Sequence, residues 1–158
     1  MSKKASVVVY TGLIAGLIIA AIAISKALVF GSKNPPLKIK NLSLAGQIFR
    51  VELAQTIGER TLGLSGRDEL GKHEGMFFIF DTPGDNGFWM HDMKFPIDII
   101  WIRGNTVVGF AENAAPEFGK KDWELKIYYP PEDVDKVLEL SAGSVQKFGI
   151  KVGDVISV

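Results

Sequence analysis

The stretch GFWMHDMKFPIDIIWI, residues 87–102, decides how this chain is read. It is an aromatic-rich apolar ribbon, interrupted once by Pro96, with a carboxylate (Asp98) inside its second half. Proline has no amide proton to give to a ladder, so the ribbon divides into two strands, 88–93 and 97–103. In the second strand Asp98, Ile100 and Ile102 share one face, and Ile97, Ile99 and Trp101 the other. Both faces are apolar, so the strand belongs inside a covered sheet and Asp98 is expected to be buried. A buried charge needs donors or a counter-charge. Arg67 and Arg60 are the candidate cations. One reading makes Asp98 a general base or ligand-binding carboxylate. The other makes it a tie that holds a loop through backbone N–H groups, and it is favoured because structural ion pairs, too, perturb buried carboxylates without catalysis.

The neighbouring segments extend the sheet. Residues 37–44 and 47–54 read as strands around a turn at Ala45-Gly46. Thr56-Ile57-Gly58-Glu59 is a capping box that starts a short helix at Ile57, weakened by Gly58 and Gly63. Residues 75–80 (GMFFIF) read as a buried strand closed by the turn 81–87, and Gly104-Asn105 turns the chain into a strand over 106–111. The alternation of Trp123, Leu125, Ile127 and Tyr129 with polar residues predicts a half-buried strand over 123–129. Strands over 137–140 and 155–158 and a helical turn over 144–148 complete the chain. Many short strands with one or two short helices predict a mostly β, α+β domain. It is expected to be a compact antiparallel structure, barrel-like or sandwich-like.

Charge distribution and an apolar run near the amino terminus lead to the expectation of a domain held at a membrane. The 158 residues carry no net charge, with 18 basic and 18 acidic side chains. Lys3, Lys4, Lys26 and Lys33 leave 14 basic against 18 acidic residues from position 34 onward, a net charge of −4. An acidic domain is a poor partner for nucleic acid, whose affinity comes from neutralising phosphates. Cysteine is absent, which removes disulfides, thiolate metal sites and cysteine nucleophiles. Residues 7–24, VVVYTGLIAGLIIAAIAI, are uncharged and mostly apolar. As a helix they span about 27 Å, close to the roughly 30 Å of bilayer hydrocarbon. Ala27 to Phe30 extend the run if Lys26 snorkels. A cleaved secretory signal is the alternative, but the run exceeds the usual apolar core of such signals, so an uncleaved anchor is preferred. Residues 1–30 are therefore expected to be the anchor, 31–36 (GSKNPP) a linker and 37–158 one β-rich domain outside the cytoplasm, secreted if the signal is cleaved. The bilayer is the expected partner of residues 7–30, and Gly12 and Gly16 offer a face for a weak homodimer.

Few residues qualify for chemistry. Met90-His91-Asp92-Met93 resembles a soft metal site, but in a strand His91 and Met93 face away from Met90 and Asp92, so too few ligands converge. No nucleophile motif is present, and no cofactor is expected. Trp89, Trp101 and Trp123 could line a groove for a sugar, peptide or lipid headgroup, with Trp101 the one that best suits the core. The candidate ligand-binding residues are Trp89, Met90, Asp98 and Arg67.

The order of these pieces resembles the domain of unknown function 192 family, an uncharacterised group of bacterial and archaeal domains, often secreted or anchored. The resemblance rests on Gly63-Leu64-Ser65-Gly66-Arg67, Gly75-Met76-Phe77-Phe78-Ile79-Phe80, Phe88-Trp89-Met90 and Pro96-Ile97-Asp98-Ile99. It continues through Leu138-Glu139-Leu140-Ser141-Ala142-Gly143 and Gly149-Ile150-Lys151-Val152-Gly153-Asp154. The family usually has Met where this chain has Ser65, and Lys or Arg followed by Asn where it has His91-Asp92. The resemblance implies a compact β-rich α+β domain and supplies no activity. A membrane-tethered, non-enzymatic binding or accessory module is therefore the expected function. The alternatives are a hydrolase or lyase using Asp98 with Arg67 as charge partner, and a structural subunit of a membrane complex.

Overall fold

A computed structural model describes residues 36–158; the expected anchor, with Gly12 and Gly16, lies outside the described residues. Ala45 and Gly46 both take positive φ (50° and 72°), the backbone that a two-residue hairpin needs to match strand twist. They join β1 (Ile39–Leu44) to β2 (Gln47–Ala54) as an antiparallel pair. Helix α1 (Ile57–Leu62) then lies in the crossover that lets β3 (Glu74–Gly84) run parallel to β2. The rest of the chain supplies β4 (Phe88–Trp89), β5 (Ile97–Arg103), β6 (Thr106–Ala114), β7 (Ile127–Tyr128), β8 (Val134–Ser141) and α2 (Ser144–Phe148). Six strands form one sheet in the order β1-β2-β3-β8-β5-β6, and β4 and β7 form a separate small one.

The three central strands, β3, β8 and β5, are covered on both faces. Ile100, Ile102, Leu138, Leu140 and Phe77 belong to a core that also takes in Val145 and Ile150 from around α2. Ile97, Ile99, Trp101, Val137 and Phe78 belong to a second core, closed by Leu64, Met90 and Met93. The alternation expected for β5 is therefore the one observed.

The sheet is open, which corrects the barrel-like expectation. Its two edges nevertheless approach each other at one end. Ser157 exchanges backbone bonds of 2.8 and 3.1 Å with Ser43 of β1, and Val155 bridges Thr106 of β6. Two residues span at most about 7 Å, so the sheet curls until both edges meet the C-terminal tail. No ladder joins β1 to β6. The tail itself, expected as a strand over 155–158, makes only these isolated bridges.

Two further strands are shorter than their patterns suggested. The strand over 88–93 ends at Trp89: Asp92 takes a φ of 51°, and Met90 and Met93 both turn into one core. The segment 123–129 is paired only at β7, and Trp123 sits in a single 3-10 turn, Asp122–Glu124, with 78% of its surface exposed. Carboxylates compete with the ladder there. Glu124 accepts from the Lys121 amide at 2.9 Å and Glu117 from the Lys126 amide at 2.8 Å.

Candidate functional site

Asp98 is completely buried, and its surroundings settle which kind of carboxylate it is. One oxygen accepts the Asn113 amide and the other the Val145 amide, each at 2.8 Å. Asn113 has a φ of 53° and lies where β6 slips register against β5, and Val145 lies in the first turn of α2. Asp98 thus ties an irregular strand and a short helix to the centre of the sheet. Neither arginine reaches it. Arg67 forms a two-pronged pair with Glu52, at 2.8 and 2.7 Å. That hydrogen-bonded pair holds the Glu52 carboxyl below and the Arg67 guanidinium above their ordinary values. Arg60 donates to the Ile79 carbonyl at 2.9 Å and to the Gln55 carbonyl, and lies 4.9 Å from the centre of the Phe80 ring. The expected Asp98–Arg67 pair is not formed, so the reading of these two residues as a catalytic couple loses its geometry.

A different carboxylate faces open space. Glu139 lies on β8 in register with Met76 of β3 and Ile99 of β5, on the sheet face opposite to Asp98. Only 5% of its surface is exposed, yet it lines a cleft of about 590 Å³. Among the described residues no donor or cation meets its carboxyl. Burial pushes it up to about 8, against a weaker opposing pull from Arg67. Gly75 helps to set this depth, because a Cβ there would stand 2.7 Å from the Glu139 carbonyl. β3 could not approach β8 so closely with any larger residue.

The cleft is walled by three pieces of chain. Helix α1 and the loop after it contribute Ile57, Leu62 and Ser65; the segment around β4 contributes Phe88 and Trp89; β7 and its end contribute Ile127 and Tyr129. Phe78 and Glu139 lie deeper, with Phe78 packed edge-on against Phe88 at 4.9 Å. Each wall has a local cause. Helix α1 buries none of its residues, and its capping box is fully formed, Thr56 and Glu59 each bonding the other's amide. The β4–β7 pair depends on Gly87, where a Cβ would stand 2.7 Å from Ile127 and 2.9 Å from Tyr129. Ser65 donates to the His91 carbonyl at 2.8 Å, and the His91 ring stacks on Trp89 with centres 5.5 Å apart. Nδ1 of His91 lies 3.0 Å from Asp122. Among the described residues no group of three or more His, Cys, Asp or Glu converges as a metal site would require.

The four candidates from the sequence are therefore dispersed. Trp89 is 45% exposed and stands at the cleft; Met90 is buried in the core and does not line it. Arg67 reaches the cleft only through its field on Glu139, and Asp98 lies across the sheet. Of the other tryptophans, Trp101 is in the core and Trp123 is exposed. Glu139, Phe78, Phe88 and Tyr129, which line the cleft, are not among the ligand-binding candidates read from the sequence.

A family model described as DUF192, "Uncharacterized ACR", matches residues 40–158. The chain belongs to the DUF192 family. Its solved relatives include a proposed transcription regulator from Sinorhizobium meliloti 1021, 29% identical, with a TM-score of 0.69, covering 77% of this chain and 95% of that one. Another is a protein of unknown function from Novosphingobium aromaticivorans DSM 12444, 32% identical, with a TM-score of 0.71, covering 80% and 89%. No curated protein matches the chain. The stretch that fits the DUF192 model contains the whole cleft, from α1 to Glu139.

Proposed function

We propose that this DUF192 chain is a membrane-tethered ligand-binding module. Residues 7–30 anchor it outside the cytoplasm, and its ligand site is the cleft above Glu139. The observation that carries the reading is Glu139 itself: a carboxyl almost fully withdrawn from water, facing an aromatic-walled cleft and met by no group of the described residues. Leaving such a group unpaired costs stability, and a bound ligand would offset that cost. The volume and the mixture of apolar walls with a few polar groups suit a small molecule or a short segment of a larger one. The uncharged run 7–24 and the linker 31–36 support the tether. The nucleic-acid role suggested by the description of the S. meliloti relative gains no support from the net −4 of residues 34–158.

The test is a thermal-shift screen of the full-length chain in detergent micelles against cell-envelope sugars, peptides and small amines. A compound at about 100 times its Kd should add roughly 2.7 kcal/mol, a rise of several degrees. That rise should vanish in Trp89→Ala. A flat response to every class, with Trp89 fluorescence unmoved, would remove the cleft as a binding site. Recovery of the full-length chain in the aqueous fraction after phase partition would remove the tether.

A further inference from the structure

We infer that the cleft takes a small organic amine, its ammonium set against the Glu139 carboxylate and its apolar body held between Trp89, Phe88 and Tyr129. This deepens the binding reading and rests on it. The inference follows from what already has a partner. Asp98 is met by two backbone amides, and Arg67 and Glu52 by each other. Arg60, the cation that lines the cleft, is engaged by two backbone carbonyls and by the Phe80 ring. His91 is engaged by Asp122, and it lies 3.5 Å from Asp92. Asp85, also in the lining, adds negative charge, and the flanking strands present only Met76 and Ile99 to Glu139. Among the described residues no cation forms an ion pair with Glu139, and the field of Arg67 is weaker than the cost of its burial, so the ionised form of Glu139 lacks a close counter-charge that a ligand can bring. The walls are rich in aromatic rings, whose faces attract cations in a desolvated site. An alcohol or sugar would meet the rings equally well but would use the protonated carboxyl, and only a cation pairs with the carboxylate form.

Proton balance makes this specific. The Glu139 carboxyl holds its proton up to about pH 8. An ammonium requires the carboxylate, so binding below that pH expels one proton from Glu139 to the solvent. Affinity should then climb about tenfold per pH unit up to pH 8 and level off until the alkylamine loses its own proton near pH 10. A neutral ligand that accepts a hydrogen bond from the protonated carboxyl must show the reverse, weakening above pH 8.

The experiment is calorimetric titration of the full-length chain with phenethylamine and with N-acetylphenethylamine. It runs from pH 6 to pH 9, in two buffers of different ionisation heat. The expected result is at least tenfold tighter binding of the amine at pH 8, with close to one proton released per amine at pH 6 to 7. Glu139→Gln should erase the preference, and Trp89→Ala should weaken both compounds alike. Equal affinities at every pH, or affinity that falls as pH rises, would overturn the amine. If neutral sugars or peptides still raise the melting temperature through Trp89, the ligand cleft survives that failure. If nothing binds, both readings fall together.

Discussion

Two acidic side chains in apolar strands behave oppositely because of what lies above them. Asp98 has two amides within bonding distance and no route to water. Removing its oxygens orphans two buried donors, so Asp98→Ala should cost about 3–5 kcal/mol in urea unfolding, and Asp98→Asn, which keeps one acceptor, about half of that. Glu139 has an exit into the cleft and no donor. Between pH 4.5 and about 8 the folded chain keeps a proton that the unfolded chain has released. The folded state binds more protons there, so stability falls as pH rises through that window and the full loss is present above pH 8. Glu139→Gln should flatten this slope and stabilise the protein above pH 8 by about 3–5 kcal/mol, read from unfolding curves at pH 5, 7 and 9. Glu52 acts in the opposite sense. Its carboxyl is lowered by Arg67, so its contribution is present above pH 4.5 and is lost as pH falls through the folded value.

Among the elements, α1 is the least secured and the most exposed wall of the cleft. A six-residue helix containing Gly58, with no buried residue, has little stability of its own. Its capping box and the reach of Arg60 to the Ile79 carbonyl hold it in place. Thr56→Ala should therefore cost about 1 kcal/mol. Amide exchange over residues 57–62 should accelerate while β3, β5 and β8 remain protected. Loss of protection across the whole sheet would show instead that α1 is part of the cooperative core. The β4–β7 pair is secured differently, by the absence of a side chain at Gly87. Helix α1 and the β4–β7 pair are thus local constructions laid over the central strands of the sheet.

At the scale of the molecule, the C-terminal tail is what holds the curled sheet. Ile156 is buried in the core that contains Asp98's neighbours, and Ser157 and Val155 meet the two edge strands. Deleting residues 154–158 should lower stability by more than about 3 kcal/mol, from the lost isoleucine alone, and should expose the edge of β1. Unfolding midpoint and the onset of aggregation check both effects. The cleft lies on the opposite face of the central strands, so the proposed binding of an amine there should not depend on the tail in molecules that remain folded.

Sequence alone determined what depends on near neighbours along the chain. The Ala45-Gly46 hairpin, the Thr56–Glu59 box, the two faces of β5 and the mostly β character follow from φ preferences, caps and a period of two, and these act over a few residues. The motifs of the DUF192 family were legible for the same reason. The site was not. Residues 137–140 read as a strand with nothing to mark Glu139, and only the pairing of β8 with β3 on one side and β5 on the other buries that acid. Phe88 to Met93 reads as a strand until a left-handed Asp92 turns two methionines inward. Whether an acid is sealed by amides or opened to a cleft is decided by segments far away in sequence. Burial and hydrogen bonding are properties of neighbours in space, and those are set when the sheet assembles.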